Sequence, residues 1–357
     1  MVMKESSRNS PYIHGAFINM SSALHLAVTE PVSAPARRLL IIHNPVAGRR
    51  RRGLMGRVVD ALRQGGADVA VVETTGPRDA ERLAGLAASG ALTDGRIPDA
   101  IVASGGDGTI NEVVNGLLAA ATRSPPGPRL TPLGLIPLGT ANVLAAELDL
   151  PSGVAELART LAGAVPRTIH AGRANGRLFT MMAGVGLDAH VVEGVDPGVK
   201  RRIGKGAYVL ESLAQIARWP SPRYRVITTD AAGHVREHEA ASCIVAKGHF
   251  YGGRFVCAPD ARLDESGFHV CLFEAGGRLA ALGYGAALVT GRLARWTEAK
   301  GGSGYRVVPA VRVRIEGPVG DPVQGDGDTI ARLPVDMETA APFRVLAPPL
   351  RPVSRLP

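Results

Sequence analysis

An apolar segment that turns on glycines into a helix, residues 99–118, is the feature that most constrains the fold. Ile101, Val102 and Ala103 form a short apolar run, which is typical of a buried parallel strand. Apolar residues then recur at helical spacing from Ile110 to Leu118. The glycines between them therefore lie in a strand-to-helix turn, the unit from which α/β domains with a parallel sheet are built.

The turn itself, residues 105–109 (Gly-Gly-Asp-Gly-Thr), predicts a phosphate site. Glycines let a ligand approach the backbone, and the free N–H groups at the start of the next helix attract an anion. Because Asp107 would repel a bare phosphate, a nucleotide bound with a divalent cation is the better expectation. A structural interpretation stays open beside it, since Thr109 and Glu112 have capping-box spacing and Glu112 would then stabilise its own helix.

Two common nucleotide motifs are missing from the chain. No Gly-x-x-x-x-Gly-Lys-Ser/Thr segment occurs, and the segment that starts at Gly106 lacks the third glycine of a dinucleotide fingerprint. The site is therefore neither a P-loop nor an ordinary dinucleotide-binding site of the Rossmann type.

The order of predicted elements indicates two domains in this chain of 357 residues. Residues 37–165 alternate strands and helices, which predicts a parallel sheet covered by helices. In that part the strands are predicted at 39–43, 69–73, 101–103 and 133–139, and the helices at 57–65, 79–88, 110–118 and 143–148. Residues 1–36 are predicted to be disordered, and residues 350–357 form a tail.

Residues 166–349 contain short alternating segments, which predict an antiparallel β-domain. Its strands are predicted at 177–183, 224–229, 241–246, 268–273 and 305–315, and its helices at 205–217 and 279–293. The second helix carries leucines among alanines and glycines, and we interpret it as a packed core helix rather than a membrane-surface helix. The prediction leaves open that the last strand or the tail returns to the first domain.

Polar loops follow the predicted strands of the first domain. In α/β sheets, ligands bind beyond the carboxyl ends of parallel strands. We therefore expect four loops to converge on one crevice: Asn44-Pro45, Thr74-Thr75, residues 105–109 and residues 139–142.

The net charge of +9 is concentrated near the start of the chain, where residues 1–52 hold eight basic and two acidic residues. Residues 49–52 are four arginines, and residues 200–202 form a second basic cluster. Such clusters attract anionic lipid or a polyphosphate, or are simply solvated. Nucleic acid is the least favoured partner, because aromatic residues make up only 4% of the chain.

The cysteines and the lengths of the apolar runs indicate where in the cell the protein is expected. Cys243, Cys257 and Cys271 form no C-x-x-C pair, so we interpret them as buried, reduced thiols of a cytosolic protein. No uninterrupted apolar run approaches the ~18 residues of a spanning helix. Any contact with a membrane is therefore expected to be peripheral.

Six motifs in order resemble those of the soluble lipid kinases, which include bacterial diacylglycerol kinases, sphingosine kinases and ceramide kinases. The most specific motif is the segment of residues 104–116. The others are Asn44-Pro45-x-Ala47-Gly48 and residues 137–142, 183–189, 258–264 and 324–328. The resemblance covers about residues 38–349. It implies the nucleotide fold that this family shares with NAD kinases and phosphofructokinases, followed by a C-terminal antiparallel β-sandwich.

The resemblance also implies roles for individual residues. Asp326 corresponds to a catalytic base that takes the proton of the lipid hydroxyl, with Asp107 and Asp328 as further catalytic carboxylates. ATP and its Mg²⁺ would be held by Asn44, Thr75, Gly105, Gly106, Asp107, Gly108, Thr109, Gly139, Thr140 and Asn142.

Some positions depart from the family pattern or allow two interpretations. Asp328 stands where the family usually has Glu, so its charge is drawn back by one methylene. The Asp-Gly-Asp segment is alternatively an ordinary acidic turn. Asp260 and Asp264 resemble a loop that binds a structural Mg²⁺ in some relatives, with a solvated acidic turn as the alternative. Asp188 could line the lipid cleft or cap a turn.

The sequence thus predicts an enzyme that uses ATP and Mg²⁺ to phosphorylate a lipid at a membrane surface, with diacylglycerol as the first candidate. The alternatives are a sphingoid-base or other lipid kinase, a small-molecule kinase similar to NAD kinase, and a catalytically silent binder of nucleotide or lipid. A cytoplasmic, peripherally membrane-associated protein is expected, and a homodimer is left open.

Overall fold

The computed structural model describes residues 37–48, 52–123, 130–195, 205–296 and 304–349. The predictions for residues 1–36 and 350–357 lie outside this range. So do Arg49–Arg51 and the basic cluster at 200–202, so the structure does not bear on these basic clusters as lipid-binding surfaces.

The first domain is a six-stranded sheet with helices on both faces, in the strand order β2-β1-β3-β4-β20-β5. Its elements are β1 (Arg38–His43), α1 (Arg52–Gln64), β2 (Asp68–Glu73), α2 (Asp79–Ala88), β3 (Ala100–Gly105), α3 (Asp107–Arg123), β4 (Leu133–Pro137), α4 (Val143–Glu147), α5 (Val154–Gly163), β5 (Pro166–Ile169) and β20 (Phe343–Leu346). All pairs are parallel except β20 with β5. The predicted parallel α/β sheet is confirmed.

Alternation along β1 explains why both faces are covered. Leu40 and Ile42 pack in the core that includes residues of α2 and α3, whereas Leu39 and Ile41 pack in the core with α1 and α5. Successive strand residues point to opposite faces, so a strand that is apolar throughout must be buried on both sides. Every residue of β3 is buried. The glycine turn therefore lies at the carboxyl end of a strand that the core holds rigidly.

The end of the chain contributes to this first sheet. β20 lies between β4 and β5, and Val345 pairs with Leu133 on one side and Arg167 on the other. β5 lies beyond the predicted boundary at residue 165 and still belongs to the first sheet. The chain therefore leaves the first domain after Ile169 and comes back at Phe343.

The second domain contains two six-stranded antiparallel sheets, β10-β9-β16-β19-β6-β7 and β15-β14-β11-β8-β17-β18. The elements are β6 (Gly172–Ala174), β7 (Arg177–Phe179), β8 (Met182–Val185), α6 (Leu187–Gly194), α7 (Lys205–Arg218), β9 (Tyr224–Thr229), β10 (Val235–Ala240), β11 (Ser242–Ala246), β12 (Phe250–Tyr251), β13 (Phe255–Val256), β14 (Phe268–Phe273), α8 (Arg278–Val289), α9 (Leu293–Trp296), β15 (Tyr305–Ala310), β16 (Arg312–Glu316), β17 (Pro322–Gly325), β18 (Asp328–Arg332) and β19 (Val335–Thr339). Residues of both sheets share one core, as expected of the predicted β-sandwich.

Two segments predicted as single strands are each divided between the two sheets. Residues 177–183 form β7 and the start of β8, and residues 305–315 form β15 and β16. The apolar pattern continues through both crossings, so the sequence does not mark where the chain leaves one sheet for the other. The first crossing, residues 180–181, carries backbone N–H groups of the candidate site.

The prediction that residues 279–293 form a packed core helix is wrong. Within α8 only Tyr284 and Ala287 are buried, and Leu279 is 86% exposed. The prediction that the three cysteines are buried free thiols is confirmed. Among the described residues, no helix combines the length and apolarity needed to cross a bilayer.

The contact between α2 and α3 generates a prediction about stability. A Cβ atom at Gly116 would clash with the Glu81 carbonyl oxygen and would lie 2.9 Å from Ala84 Cβ. Gly116→Ala should therefore lower the free energy of unfolding by about 1–3 kcal/mol. Gly85→Ala is the matched control, because its Cβ would lie 3.7 Å from the Gly116 carbonyl and helix propensity favours alanine. Urea unfolding of both variants tests this, and equal stabilities would contradict the close helix contact.

Candidate active site

The loops after β1, β3 and β4 touch one another through their backbones. The N–H groups of Leu138 and Gly139 donate to the Gly105 carbonyl at 2.8 and 3.3 Å. A Cβ at Gly139 would lie 2.6 Å from the Cα of Gly106, and one at Gly48 would lie 2.5 Å from the Leu138 carbonyl oxygen. Gly48 also has a φ of +65°. Glycine is therefore required for the loops to converge on one crevice.

Asn44 and Thr109 are brought together at this crevice. The Asn44 side chain donates from Nδ2 to Thr109 Oγ1 at 3.0 Å and accepts the Val46 N–H at 3.1 Å. Thr75 is exposed at the end of β2, where its N–H and hydroxyl donate to Asp79 Oδ2 at 2.8 and 2.9 Å. Thr140 is exposed on the loop after β4.

The expected capping box at the start of α3 does not form. Glu112 accepts the N–H groups of Arg78 at 2.9 Å and Ala80 at 3.2 Å, so its carboxylate caps α2. Thr109 lies inside α3, which begins at Asp107, and cannot act as its N-cap. The close packing of α2 on α3 explains why Glu112 reaches the neighbouring helix. Glu112 is structural, as expected, but stabilises a different helix.

The Asp107 carboxylate holds the loop after β4. Its Oδ2 accepts the Asn142 N–H at 2.9 Å and its Oδ1 accepts the Val143 N–H at 2.7 Å, both at the start of α4. Burial, together with the negative charge of Asp326, raises the pKa of Asp107 to about 6, although the hydrogen bonds from Val143 and Asn142 act in the opposite direction. A cation beside Asp107 would favour its charged form. The Oδ1 atom of Asn142 is buried and has no hydrogen-bond partner among the described residues, so it is an acceptor that a bound ligand could satisfy.

Asp326 is held by donors from both domains. Its Oδ2 accepts Asn111 Nδ2 at 2.9 Å, the Thr180 N–H at 2.6 Å and the Thr180 hydroxyl at 2.9 Å. Its Oδ1 accepts the N–H groups of Met181 and Met182 at 2.8 and 3.2 Å. With a φ of +52°, the residue also forms the tight turn between β17 and β18. Both oxygens of this carboxylate are thus engaged in the folded protein.

Asp328 begins β18 and is exposed next to the glycine turn. A Cβ added to Gly108 would lie 2.7 Å from Asp328 Oδ2, so the missing side chain at 108 lets this carboxylate reach the start of α3. Within the described part of the chain, no hydrogen-bond donor engages the Asp328 carboxylate. Of the three predicted catalytic carboxylates, Asp328 is the one that accepts no hydrogen bond from a described residue, whereas Asp107 and Asp326 accept several.

Three amide side chains that the sequence analysis missed connect these groups. Asn111 donates to Asp326 and to the Leu178 carbonyl, and Asn115 accepts the Leu178 N–H at 3.1 Å. Gln324 donates from Nε2 to Asp188 Oδ2 at 2.7 Å and accepts the Gly327 N–H at 3.1 Å. All three are buried in apolar elements. The sequence does contain a signal for Asn111 and Asn115, because two asparagines four residues apart on an apolar helix face indicate buried amides that need hydrogen-bond partners.

An apolar cavity of about 210 Å³ lies beside this network in the second domain. Asp188 lies in its wall, where it accepts hydrogen bonds from the Tyr251 hydroxyl and from Gln324, and burial raises the pKa of Asp188. Asp188 therefore lines a cleft, one of its two predicted places. The apolar lining includes Val191, Ile216, Trp219, Ile244, Phe273, Ala281, Leu288 and Leu293.

In the predicted structural Mg²⁺ site, Asp264 is paired with an arginine, and a cation at Asp260 and Asp264 stays a prediction. Arg262 donates to both oxygens of Asp264, at 3.1 and 3.0 Å, and this holds the pKa of Asp264 low. The buried ammonium of Lys247 donates to the carbonyls of Glu265 and Gly267 at 2.7 and 2.8 Å. Among the described residues, no three His, Cys, Asp or Glu side chains cluster as metal ligands. A cation at Asp264 would have to displace Arg262.

Comparisons with known proteins agree with this architecture. The diacylglycerol kinase catalytic domain matches residues 38–174, and the YegS C-terminal NAD kinase beta sandwich-like domain matches residues 181–346. A diacylglycerol kinase of Bacillus subtilis (strain 168) is 32% identical over 67% of this chain and 74% of its own length. One from Staphylococcus haemolyticus (strain JCSC1435) is 29% identical over 68% of this chain and 69% of its own length.

The fold also matches a solved structure. The crystal structure of a diacylglycerol kinase from Bacillus anthracis str. Sterne superposes with a TM-score of 0.67 at 24% identity, covering 88% of this chain and 99% of that one. At this identity the likeness supports the fold alone, whereas the two domain matches and the Bacillus subtilis relative establish the family. The resemblance in the sequence is confirmed, and the chain belongs to the diacylglycerol kinase family of lipid kinases.

Proposed function

We propose that this kinase transfers the γ-phosphate of ATP to the hydroxyl of diacylglycerol and so forms phosphatidate. The observation that carries the proposal is the turn of residues 324–328. At one end Gln324 holds the carboxylate of the apolar cavity, and at the other Asp328 faces the glycine turn. A lipid hydroxyl and a nucleotide phosphate would therefore meet at this turn.

The crevice suits ATP because it offers backbone donors and little steric obstruction. The first N–H groups of α3 have no acceptor within their helix, so they can bind phosphate oxygens. The contacts between Gly106 and Gly139 keep side chains out of that space. Mg²⁺ is usually held by one or two carboxylates together with substrate phosphates, and Asp107 would supply such a carboxylate beside the glycine turn. A metal bound there would neutralise charge on the transferred phosphate.

We assign the base to Asp328 and a positioning role to Asp326, as an alternative to the role of base that the family resemblance implies for Asp326. A general base needs a lone pair within reach of the proton it takes. Five hydrogen bonds occupy the Asp326 carboxylate, one from Asn111 of the first domain and four from residues 180–182, so accepting a proton there would disrupt this set of contacts. Asp328 is exposed at the loop and accepts a proton without such a cost.

Asp188 bears on the choice between lipid acceptors. A sphingoid base carries an ammonium group, which the Asp188 carboxylate could pair with in its charged form. Both oxygens of Asp188 already accept hydrogen bonds, one from the Tyr251 hydroxyl and one from Gln324, so an ammonium group would have to compete with these donors. Diacylglycerol is therefore the first candidate and a sphingoid base the second.

Phosphate transfer from radiolabelled ATP to a micelle panel of diacylglycerol, monoacylglycerol, sphingosine and ceramide tests the function. We expect a phosphorylated product from diacylglycerol that requires Mg²⁺ and disappears on addition of EDTA. Product from sphingosine alone would favour the second candidate. ATP binding without product from any lipid would contradict a lipid kinase activity.

Asp328→Asn and Asp326→Asn should fail in different ways. Asp328→Asn removes the base and should lower kcat by about 10²–10⁴-fold, while the free energy of unfolding stays within about 0.5 kcal/mol of wild type. Asp326→Asn replaces an acceptor oxygen by an NH₂ group that faces other donors, and should lower the free energy of unfolding by about 1–3 kcal/mol. Steady-state kinetics and urea unfolding separate the two. Full turnover by Asp328→Asn would refute its role as base.

Two glycines of α8 allow a matched test of the cavity as the lipid site. Gly285 lines the cavity and Gly283 does not, and a Cβ added to either would meet no atom within 4 Å. Gly285→Leu should fill the cavity and lower kcat/KM for long-chain diacylglycerol by about tenfold or more, leaving the KM for ATP unchanged. Gly283→Leu should retain wild-type kcat/KM in detergent micelles. Equal values for the two variants would place the lipid elsewhere.

A further inference from the structure

Helix α8 is apolar on all sides, although it lies at the surface. Its 12 residues contain one charged side chain, Arg278, at the first position. Leu279, Leu282 and Val289 are 86%, 46% and 65% exposed. Together with Ala286 they follow an i, i+3, i+7, i+10 pattern, which places them in one stripe along the helix. A helix of this composition is normally buried in a protein core or in lipid.

The opposite face of α8 forms part of the cavity wall. Ala281, Tyr284 and Leu288 line the cavity proposed to receive the lipid. The helix therefore separates this cavity from the solvent-exposed leucine and valine stripe. A substrate that is dissolved in a bilayer must pass from the membrane to the cavity, and α8 borders that cavity.

The charges around the stripe suit anionic lipid headgroups. Residues 275–296 contain Arg278, Arg292 and Arg295 and no acidic residue. All three arginines are exposed, and within the described part of the chain none forms an ion pair with a carboxylate. Basic side chains that flank an apolar helix face are the pattern of a helix that lies in the membrane interface.

We propose that the outer face of α8, made of Leu279, Leu282, Ala286 and Val289, docks into the surface of an anionic bilayer. The inference rests on the proposed function in one respect, because it assumes that the cavity bordered by α8 receives the lipid substrate. The stripe would enter the headgroup and acyl boundary while the arginines contact phosphates. The docking site thus places the cavity next to the membrane that holds the substrate.

Vesicle binding of a triple variant, Leu279→Gln, Leu282→Gln and Val289→Gln, tests the docking surface. We expect its partition onto phosphatidylglycerol vesicles to fall by about tenfold or more, because the variant lacks the apolar side chains whose transfer from water into the bilayer favours binding. Val235→Gln is the control, since Val235 has the same 65% exposure as Val289 and lies in β10. Equal partition of the triple variant and wild type would overturn the proposal.

Site-specific labelling distinguishes insertion from surface attraction. The three native cysteines are buried, so an environment-sensitive dye can be placed selectively on Leu282→Cys or on Val235→Cys. With anionic vesicles, the emission of the dye at 282 should shift to the blue and that at 235 should not. No shift at 282 would overturn insertion. A wild-type dimer that the triple variant converts to a monomer would also overturn the proposal, because the stripe would then be a subunit interface.

A soluble substrate separates failure of this inference from failure of the proposed function. The triple variant should phosphorylate monomeric short-chain diacylglycerol at the wild-type rate, since that substrate needs no bilayer. Vesicle binding that is lost in the triple variant, together with no turnover of any lipid by wild type, would refute the proposed function and leave α8 as a docking surface. Normal turnover with unchanged vesicle binding would refute the docking surface alone.

Discussion

The carboxylate of Asp326 joins the two domains at the site, and the geometry of the other groups depends on it. It accepts one hydrogen bond from Asn111 of α3 and four from Thr180, Met181 and Met182, where the chain crosses between the sheets of the sandwich. Its own N–H donates to the Met182 carbonyl at 3.0 Å. Hydrogen bonds to a charged acceptor are roughly twice as strong as neutral ones. They offset the strain of a non-glycine residue at a φ of +52°.

The crevice depends on the absence of side chains as much as on their presence. Gly48, Gly106 and Gly139 let three loops meet backbone to backbone, and Gly108 admits a carboxylate from the other domain. Because the loops follow strands of one buried sheet, their positions are set by a rigid core. The Asp107 carboxylate then fixes the loop after β4 through two backbone N–H groups. The backbone N–H groups of the crevice are therefore held in place by the sheet and by Asp107.

Much of the architecture was predictable because its periodicity is local. The bounds of α2 and β9 were predicted to the residue, and the parallel sheet followed from alternating elements. The crossings within 177–183 and 305–315, and the partners of Glu112, depend on packing between distant segments that no local pattern records. The site was predicted as a set of motifs, but Gln324 and Asn111 act through contacts across the fold. The exposure of α8 was mispredicted because an apolar pattern does not say whether protein or another phase covers it.

Asp328 stands where the family usually has Glu, and the structure shows how far the shorter side chain reaches. A shorter acid draws the charge back from the glycine turn by about one methylene. Yet Asp328 Oδ2 lies 2.7 Å from the place where a Cβ on Gly108 would stand, so the shorter side chain still reaches the start of α3. The turn is held on one side by Asp326 and on the other by the bond from Gly327 to Gln324. A carboxylate on a turn fixed at both sides needs less length to reach its partner, because the backbone places it.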